Sequence, residues 1–479
     1  MTAMHLNIKH EYKRQTIHVL IGMIVLIFPF VPLQYLVLLL LGLFVSVLML
    51  PVSSKLFRII TSSDKAARRS PTGAICLSGS MLILVLIAWV LTFTDYEFPI
   101  FLIGGAIAIT TFGDGMATSL RVTEQARYDI LNNIEYPRRQ YQGEQTKPES
   151  VKASLTILSV GAIFSFLIGA WIVHWTGYEV SFQLLFFISV IGGTSGALFE
   201  CISTRIHDNI TVPIGSAMVM WLLLVIGYSV SPMYLMFALA FALLLGYLAY
   251  VAKIADISGL LSATLVGVLI IAFTNVWWFL LLLTFYMLGG GFTKYKYEYK
   301  KSLGIAQGKG GARGYRNVFS NSIFAIAASI CYTIFYDPQA VSYLFLYIYL
   351  GAVATATGDT LASEVGTTYR GSPRMITTLK KVEPGTDGGV STLGETASLL
   401  GSLAIAIFAV LFGVIAVDPN RLCLIGMAIV VVSGFVGTNI DSLLGATLQQ
   451  RGILSNNGVN VVSTLMGGLV AGAMWMVVV

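Results

Sequence analysis

Four carboxylates in this chain stand where hydrocarbon should exclude them. Asp114, Glu200, Asp359 and Asp441 fall within or at the ends of long apolar runs. An ionisable side chain there costs about 2.5–3.5 kcal/mol on insertion scales, so each is a functional candidate. Asp114 and Asp359 each follow a glycine, and the neighbouring polar loops are rich in Lys and Arg. Carboxylates in such company suit magnesium, which is held by one or two carboxylates together with phosphate oxygens. Arg and Lys then neutralise the charge of a transferring phosphoryl group, and glycine lets the backbone approach an anion closely. A plain ion pair between helices accounts for one such carboxylate more readily than for four in matching order.

The order is the second clue. Thr111-Phe-Gly-Asp-Gly-Met-Ala117 resembles Ala356-Thr-Gly-Asp-Thr-Leu-Ala362, and each closes an apolar run. A polar loop follows each and meets the next helix through a Ser-bearing stretch, Lys147 to Ser154 in one case and Gly385 to Gly394 in the other. Gly193-Thr-Ser then leads to Glu200 and to Asp208-Asn209, as Gly437-Thr-Asn leads to Asp441 and to Asn456-Asn457. The remaining candidates read more blandly. His18 lies near the start of the first span and reads as a packing residue. Cys76, Cys201, Cys331 and Cys423 have neither metal nor disulfide spacing and read as small buried hydrophobes. The run Tyr295–Lys301 reads as an interfacial anchor. Gly304-Ile-Ala-Gln-Gly-Lys-Gly310 has a Walker loop's flavour, but the lysine comes one residue early and no Ser or Thr follows.

The elements that must carry these residues are membrane helices. The chain of 479 residues is 56% hydrophobic and only 11% charged, against about a quarter charged in soluble domains. Continuous apolar runs, each long enough for the bilayer core, recur throughout, and only helices span with such a pattern. The expected fold is an all-α polytopic membrane protein of about fifteen transmembrane helices: 16–32, 34–51, 73–93, 98–120, 151–175, 181–203, 212–230, 232–251, 259–273, 275–291, 319–336, 340–358, 395–417, 422–445 and 458–478. No cleavable leader is evident after Lys9, Lys13 and Arg14. Lys and Arg gather in alternate loops, which places the N-terminus and the motif-bearing loops in the cytoplasm. The net charge of +6 is then a topology signal suited to anionic headgroups or phosphates, with no nucleic-acid module in sight. The repeated motifs predict two parallel seven-helix repeats. Seven being odd, an extra helix must join them, which divides the chain into 1–231, a linker helix 232–258, and 259–479.

Two resemblances follow from the motifs. The C-terminal half is similar to the family that includes plant phytyl-phosphate kinase, through Gly310-Gly-Ala-Arg-Gly-Tyr-Arg-Asn317, Gly358-Asp-Thr-Leu-Ala-Ser-Glu-Val-Gly366, Val382 to Gly394, Asp441 to Gln449, and Ser455-Asn-Asn-Gly-Val-Asn460. The N-terminal half resembles the phytol and dolichol kinase family. It does so through Glu11 to His18 with Gly22, Gly113-Asp-Gly-Met-Ala117, Lys147 to Ser154, Glu200, and Asp208-Asn-Ile-Thr-Val-Pro213. Two departures stand out: Ala117-Thr-Ser-Leu-Arg121 replaces a Gly-Arg pair, and Lys152 and Ala153 stand where Glu and Gly are usual. The resemblance implies a fusion of an isoprenoid-alcohol kinase with an isoprenoid-monophosphate kinase, using Mg2+ with CTP or another nucleoside triphosphate. Asp114, Asp359 and Asp441 would be metal ligands, and Glu200 would act with them in catalysis. Lys147, Arg313 and Arg316 would hold phosphates, and Thr386, Asp387, Gly388, Gly389 and Ser391 would cradle nucleotide or substrate. Ser150, Ser154, Asp208 and Asn209 would complete the first site; Asn317, Glu364, Asn456, Asn457 and Asn460 would complete the second. The implied partners are the lipid bilayer and an isoprenoid alcohol or prenyl phosphate.

Two other readings use the same residues. Repeats and intramembrane carboxylates also suit a transporter or flippase of isoprenoid phosphates, although such carriers favour polar groups near the bilayer midplane. A CTP-dependent cytidylyltransferase would need the same phosphate chemistry but release pyrophosphate. Prenyl chain length, nucleotide preference and oligomeric state have no signature in the sequence.

Overall fold

A computed structural model describes residues 2–60, 72–131, 150–203, 206–306, 311–336, 341–415 and 422–478. It is an all-α polytopic membrane protein. Thirteen of its described helices are long and apolar enough to cross a bilayer, and two shorter apolar ones fall between them. Together they correspond one for one to the fifteen expected spans. The chain divides into two compact units, Met1–Pro232 and Met233–Val479.

The first unit holds α1 (His10–Phe30), α2 (Leu33–Leu48), α3 (Thr72–Leu91), α4 (Ile100–Glu124), α5 (Val151–Thr176), α6 (Phe182–Ile202) and α7 (Asp208–Ile226). Polar caps set several boundaries by accepting otherwise unpaired amides. Ser150 accepts from Ala153 N at the start of α5, and Ser181 accepts from Leu184 N at the start of α6. Gly177, at φ +67°, ends α5 in the left-handed conformation that glycine adopts without strain. Within α4 the backbone widens to a π turn over Ile109–Asp114. Nothing in the residue pattern announces that turn.

The second unit holds α8 (Pro232–Val251), α9 (Ile257–Phe273), α10 (Val276–Lys294), α11 (Tyr315–Ile334), α12 (Ser342–Gly366), α13 (Thr392–Leu411), α14 (Cys423–Gln449) and α15 (Asn456–Val478). Asp256 accepts from Gly259 N, Asn275 from Trp277 N and Ser391 from Gly394 N, starting α9, α10 and α13. The helix read above as a connection, α8, packs within this unit. Its Phe241 meets Phe279 edge-on at 6.3 Å, and Tyr234 Oη donates to the Ile271 carbonyl at 3.2 Å. The loop between α12 and α13 folds into a hairpin whose strands, Arg374–Met375 and Gly389–Val390, pair antiparallel.

The two units share a packing scheme. In the first, α4 packs on α5 and α7, α6 on α5 and α7, and α3 on α7; adding eight to each number gives contacts of the second. In each, the glycine before the key aspartate lies against a glycine of the following helix. A Cβ on Gly113 would stand 3.3 Å from Gly161 Cα, and one on Gly401 3.4 Å from Gly358 Cα. The scheme departs from a seven-helix repeat at its first two members. In the first unit α1 lies along α4 and α2 on α3, whereas in the second α9 packs on α11 and α10 on α12. The two leading helices therefore exchange places, and five helices follow one plan. The helices carrying Asp114 and Asp359, α4 and α12, are 83% and 78% buried along their most apolar stretch, which puts each aspartate on the central helix of its bundle.

Candidate active sites in the two units

In the second unit a cavity of about 380 Å³ opens at the C-terminal end of α12. Asp359 and Glu364 reach it from α12, Asp441 from α14, Ser391 and Glu395 from the start of α13, and Asn456 and Asn460 from α15. Its far wall is the hairpin segment Pro384–Val390. Gly385 and Gly388 take φ of +83° and +79° there, and a Cβ on Gly388 would meet the Ala446 amide at 2.5 Å. Glycine is thus required where the hairpin touches α14, and Gln450 Nε2 fastens it by donating to the Asp387 carbonyl at 2.9 Å. Asp359 and Asp441 line the cavity together, and Asp441 Oδ2 accepts from Ser463 Oγ at 2.9 Å.

Arg313 is the distinctive group. Its backbone is bridged to the turn before α9: its amide donates to the Ile254 carbonyl at 2.8 Å, and its carbonyl accepts from Asp256 N at 3.1 Å. Its side chain is only 4% exposed and lies over the Phe285 ring at 5.4 Å. Gly289 leaves it room, since a Cβ there would stand 2.5 Å from the guanidinium. Nε and Nη1 have no hydrogen-bond partner. Burial pulls its pKa below the usual arginine value, while Tyr286, Glu364 and Asp359 pull the other way; an arginine stays charged through such shifts. Arg313 is part of the cavity wall, and a buried guanidinium with unspent donors beside a cavity suits a phosphate or carboxylate.

The cavity also brings in residues the sequence did not single out. Lys300, on the short helix Tyr297–Ser302, is buried and paired with Glu364. It also donates to the carbonyls of Phe292 at 3.0 Å and Thr293 at 2.9 Å, and Glu364 Oε1 accepts from Thr293 Oγ1 at 2.8 Å. It is no interfacial anchor, and nothing in its local sequence separates it from Lys296 or Lys301. Ser363, Thr367 and Glu395 line the cavity as well. Among the expected residues, Asn317, Thr386, Asp387 and Gly389 line it with those already named. Two do not. Arg316 is exposed and donates to Tyr315 Oη at 3.1 Å. Asn457 lies off the face that Asn456 and Asn460 share at helical spacing.

In the first unit Asp114, Glu200 and Asp208 converge, each offering a carboxylate oxygen within 4.8 Å of the others. Arg121, two turns beyond Asp114, lies 2.8 Å from Glu200 Oε1 and 3.9 Å from Asp114 Oδ1. The arginine of the unusual Ala117–Arg121 stretch therefore serves the acidic trio. His207 Nδ1 is 2.6 Å from Asp208 Oδ1, and Thr118 Oγ1 donates to Asp114 at 3.2 Å. His18 is the surprise. Its Nε2 is buried without a partner, whereas a packing histidine would have both nitrogens satisfied. The other expected members have different work. Asn209 Nδ2 donates to the Gly73 carbonyl at 2.8 Å, tying α7 to α3. Ser150 caps α5, and Ser154 is buried one turn on. Lys152, where the resemblance has Glu, pairs at the surface with Glu124 at 2.7 Å. Lys147 lies outside the described residues.

Residues 240–468 match an integral membrane protein family known as DUF92, and this stretch includes every residue lining the second-unit cavity. An uncharacterized membrane protein of Methanocaldococcus jannaschii is 31% identical over 215 residues, which is 45% of this chain and 83% of the relative. Protein PGR of Arabidopsis thaliana is 30% identical over 275 residues, covering 49% of this chain and 94% of its own length. The chain belongs to the DUF92 family. Protein VTE6, chloroplastic, also of Arabidopsis thaliana, is 30% identical over 217 residues, 45% of this chain and 63% of that protein. No solved structure matches. The first unit, with its own acidic trio, lies outside the DUF92 match.

Proposed function

We propose that this DUF92 protein is a membrane-embedded isoprenoid lipid kinase. Its second unit converts a prenyl monophosphate to the diphosphate, and its first unit phosphorylates the alcohol, with a nucleoside triphosphate such as CTP as donor. The observation that carries the reading is the buried guanidinium of Arg313, with two unpaired donors, in the wall of a cavity shared with two aspartates and a glycine-bearing hairpin at one end of a helix bundle. Such a site accepts phosphates while the prenyl tail stays in lipid. The resemblance of the C-terminal motifs to phytyl-phosphate kinases supports the same chemistry.

In the second site the acceptor phosphate oxygen attacks the γ-phosphorus, the bond to the β,γ-bridging oxygen breaks, and the nucleoside diphosphate leaves. Arg313 spreads its donors over the phosphate oxygens as charge shifts onto the leaving group. Lys300, fixed by Glu364, adds positive charge to the same wall. The hairpin from Thr386 to Gly389 offers close backbone approach to the donor phosphates. Magnesium fits the donor sets, which are hard oxygens throughout. Asp359 with Asp441 would hold it in the second unit, and Asp114 with Glu200 and Asp208 in the first. When bound, it would neutralise phosphoryl oxygens. With the basic loops cytoplasmic, both sites draw on the cytoplasmic nucleotide pool.

The test uses purified protein, magnesium and γ-labelled CTP, with a C20 isoprenoid alcohol in one tube and its monophosphate in another. Label in the diphosphate supports the second-unit kinase, and label in the monophosphate supports the first. Release of pyrophosphate would move the assignment to cytidylyl transfer. No transfer from CTP, ATP, GTP or UTP would sink the kinase reading and favour transport.

A further inference from the structure

The two proposed reactions differ in one chemical requirement. A phosphate acceptor is already deprotonated at neutral pH, whereas an alcohol keeps its proton until the transition state and needs a base nearby. The chain distributes its histidines along that line. All five, at positions 5, 10, 18, 174 and 207, lie in the first unit, and none lies between 233 and 479.

We propose that His18 is the base that takes the hydroxyl proton of an alcohol in the first-unit site. The proposal rests on the kinase reading above and extends it to a residue outside the acidic trio. Gln15, Val19 and Gly22 run along the face of α1 that packs on α4. A Cβ on Gly115 would stand 3.3 Å from Val19 and 3.7 Å from Gln15, and Gly22 lies against Thr111. That face brings His18 onto the π turn of α4. Its Nε2 is buried with no hydrogen-bond partner. In the neutral ring carrying its proton on Nδ1, the Nε2 lone pair is unspent. The charges acting on the ring are those of Asp114 and Asp208 from the trio and Arg14 from its own helix. The trio's members are already engaged. Asp114 and Glu200 meet Arg121, and Asp208 accepts from Asn209 N at 2.9 Å and lies against His207. His18 is thus the uncommitted proton acceptor beside the carboxylates.

The step balances. The hydroxyl oxygen forms a bond to the γ-phosphorus of the nucleoside triphosphate as its proton passes to Nε2. The bond from that phosphorus to the β,γ-bridging oxygen breaks, the nucleoside diphosphate leaves with the electron pair, and Nε2 later gives its proton to water.

The experiment exploits two activities in one chain. Full-length wild type, His18→Ala and His18→Asn are assayed with magnesium and γ-labelled CTP on a C20 prenyl alcohol and, separately, on its monophosphate. The expected result for both variants is a fall of about 10²–10⁴-fold in alcohol kcat, little change in KM for the alcohol, and unchanged monophosphate turnover. Added imidazole should restore part of the alcohol rate to His18→Ala. Retention of the alcohol rate in His18→Asn would overturn the assignment and leave the kinase reading standing. Loss of both activities in parallel would make His18 a packing residue and overturn it too. A wild type that phosphorylates the monophosphate but not the alcohol would remove the base's purpose. A wild type inactive on both would bring down the kinase reading itself.

Discussion

Arg313 and Lys300 are both buried cations on one cavity wall, but their donors are spent differently. Lys300 has used its three N–H groups on Glu364 and two carbonyls, while Arg313 keeps Nε and Nη1 unpaired. The first therefore reports mainly on stability and the second mainly on ligand. Arg313→Ala should lower kcat/KM for the prenyl monophosphate by about 10²–10³-fold, the loss seen when one preorganised transition-state donor is removed. Arg313→Lys should recover little of it, because a point charge cannot reproduce the planar fork. Steady-state kinetics on both variants would check this, and wild-type kcat/KM in Arg313→Ala would refute it. Glu364→Ala strands a buried ammonium and should cost about 3–5 kcal/mol of stability, read as a lower denaturation midpoint. The sequence made Arg313 visible through its motif but could not show that Arg316, three residues on, points to solvent. That choice is made by the bridge between Arg313 and Ile254, which fixes which side chain turns inward. Lys300 stayed hidden because a lysine's burial depends on where the end of α10 and Glu364 happen to meet.

Hydropathy alone located all fifteen helices, since apolar length is a property of the sequence itself. Two of them, α2 and α9, have 16 and 17 residues and fall just short of an ordinary span. The π turn in α4 and the exchanged places of the leading helices were illegible for a common reason. Both are decided by contacts between segments distant in the chain, to which a hydropathy profile is blind. The hairpin between α12 and α13 gives a test at this scale. Gly388→Ala must place a Cβ in a left-handed conformation and into the Ala446 backbone. The conformational strain alone is worth about 1–2 kcal/mol, so the hairpin should lift away from α14. We expect a raised KM for the nucleotide and faster proteolysis within 373–390, with the helical circular dichroism unchanged. An unaltered KM would show that this wall does not touch the donor.

At the scale of the molecule, the DUF92 match and the cavity coincide within one unit, and the Methanocaldococcus jannaschii relative is spanned over 83% of its length by 215 residues of this chain. Residues 233–479 expressed behind an export signal should accordingly fold and keep the monophosphate activity while losing the alcohol activity. Size-exclusion chromatography followed by the labelled-nucleotide assay would check it, and an inactive but well-folded fragment would show that the second site depends on the first unit.

The number of helices in each unit also matters for how the chain is threaded during synthesis. With the two short helices α2 and α9 counted beside the thirteen that are long enough to cross, the first unit has seven apolar helices and the second eight. If every one of them crosses, the odd count hands the chain to α8 on the face opposite to the start of α1, and the even count returns it to that same opposite face. A free-standing copy of the second unit would have to send its own N-terminus across unaided before α8 could enter, a task the fused chain leaves to its first seven helices. Expression of the isolated half should therefore hinge on what precedes Met233. A preceding export signal should rescue insertion, and a cluster of lysines placed there should block it.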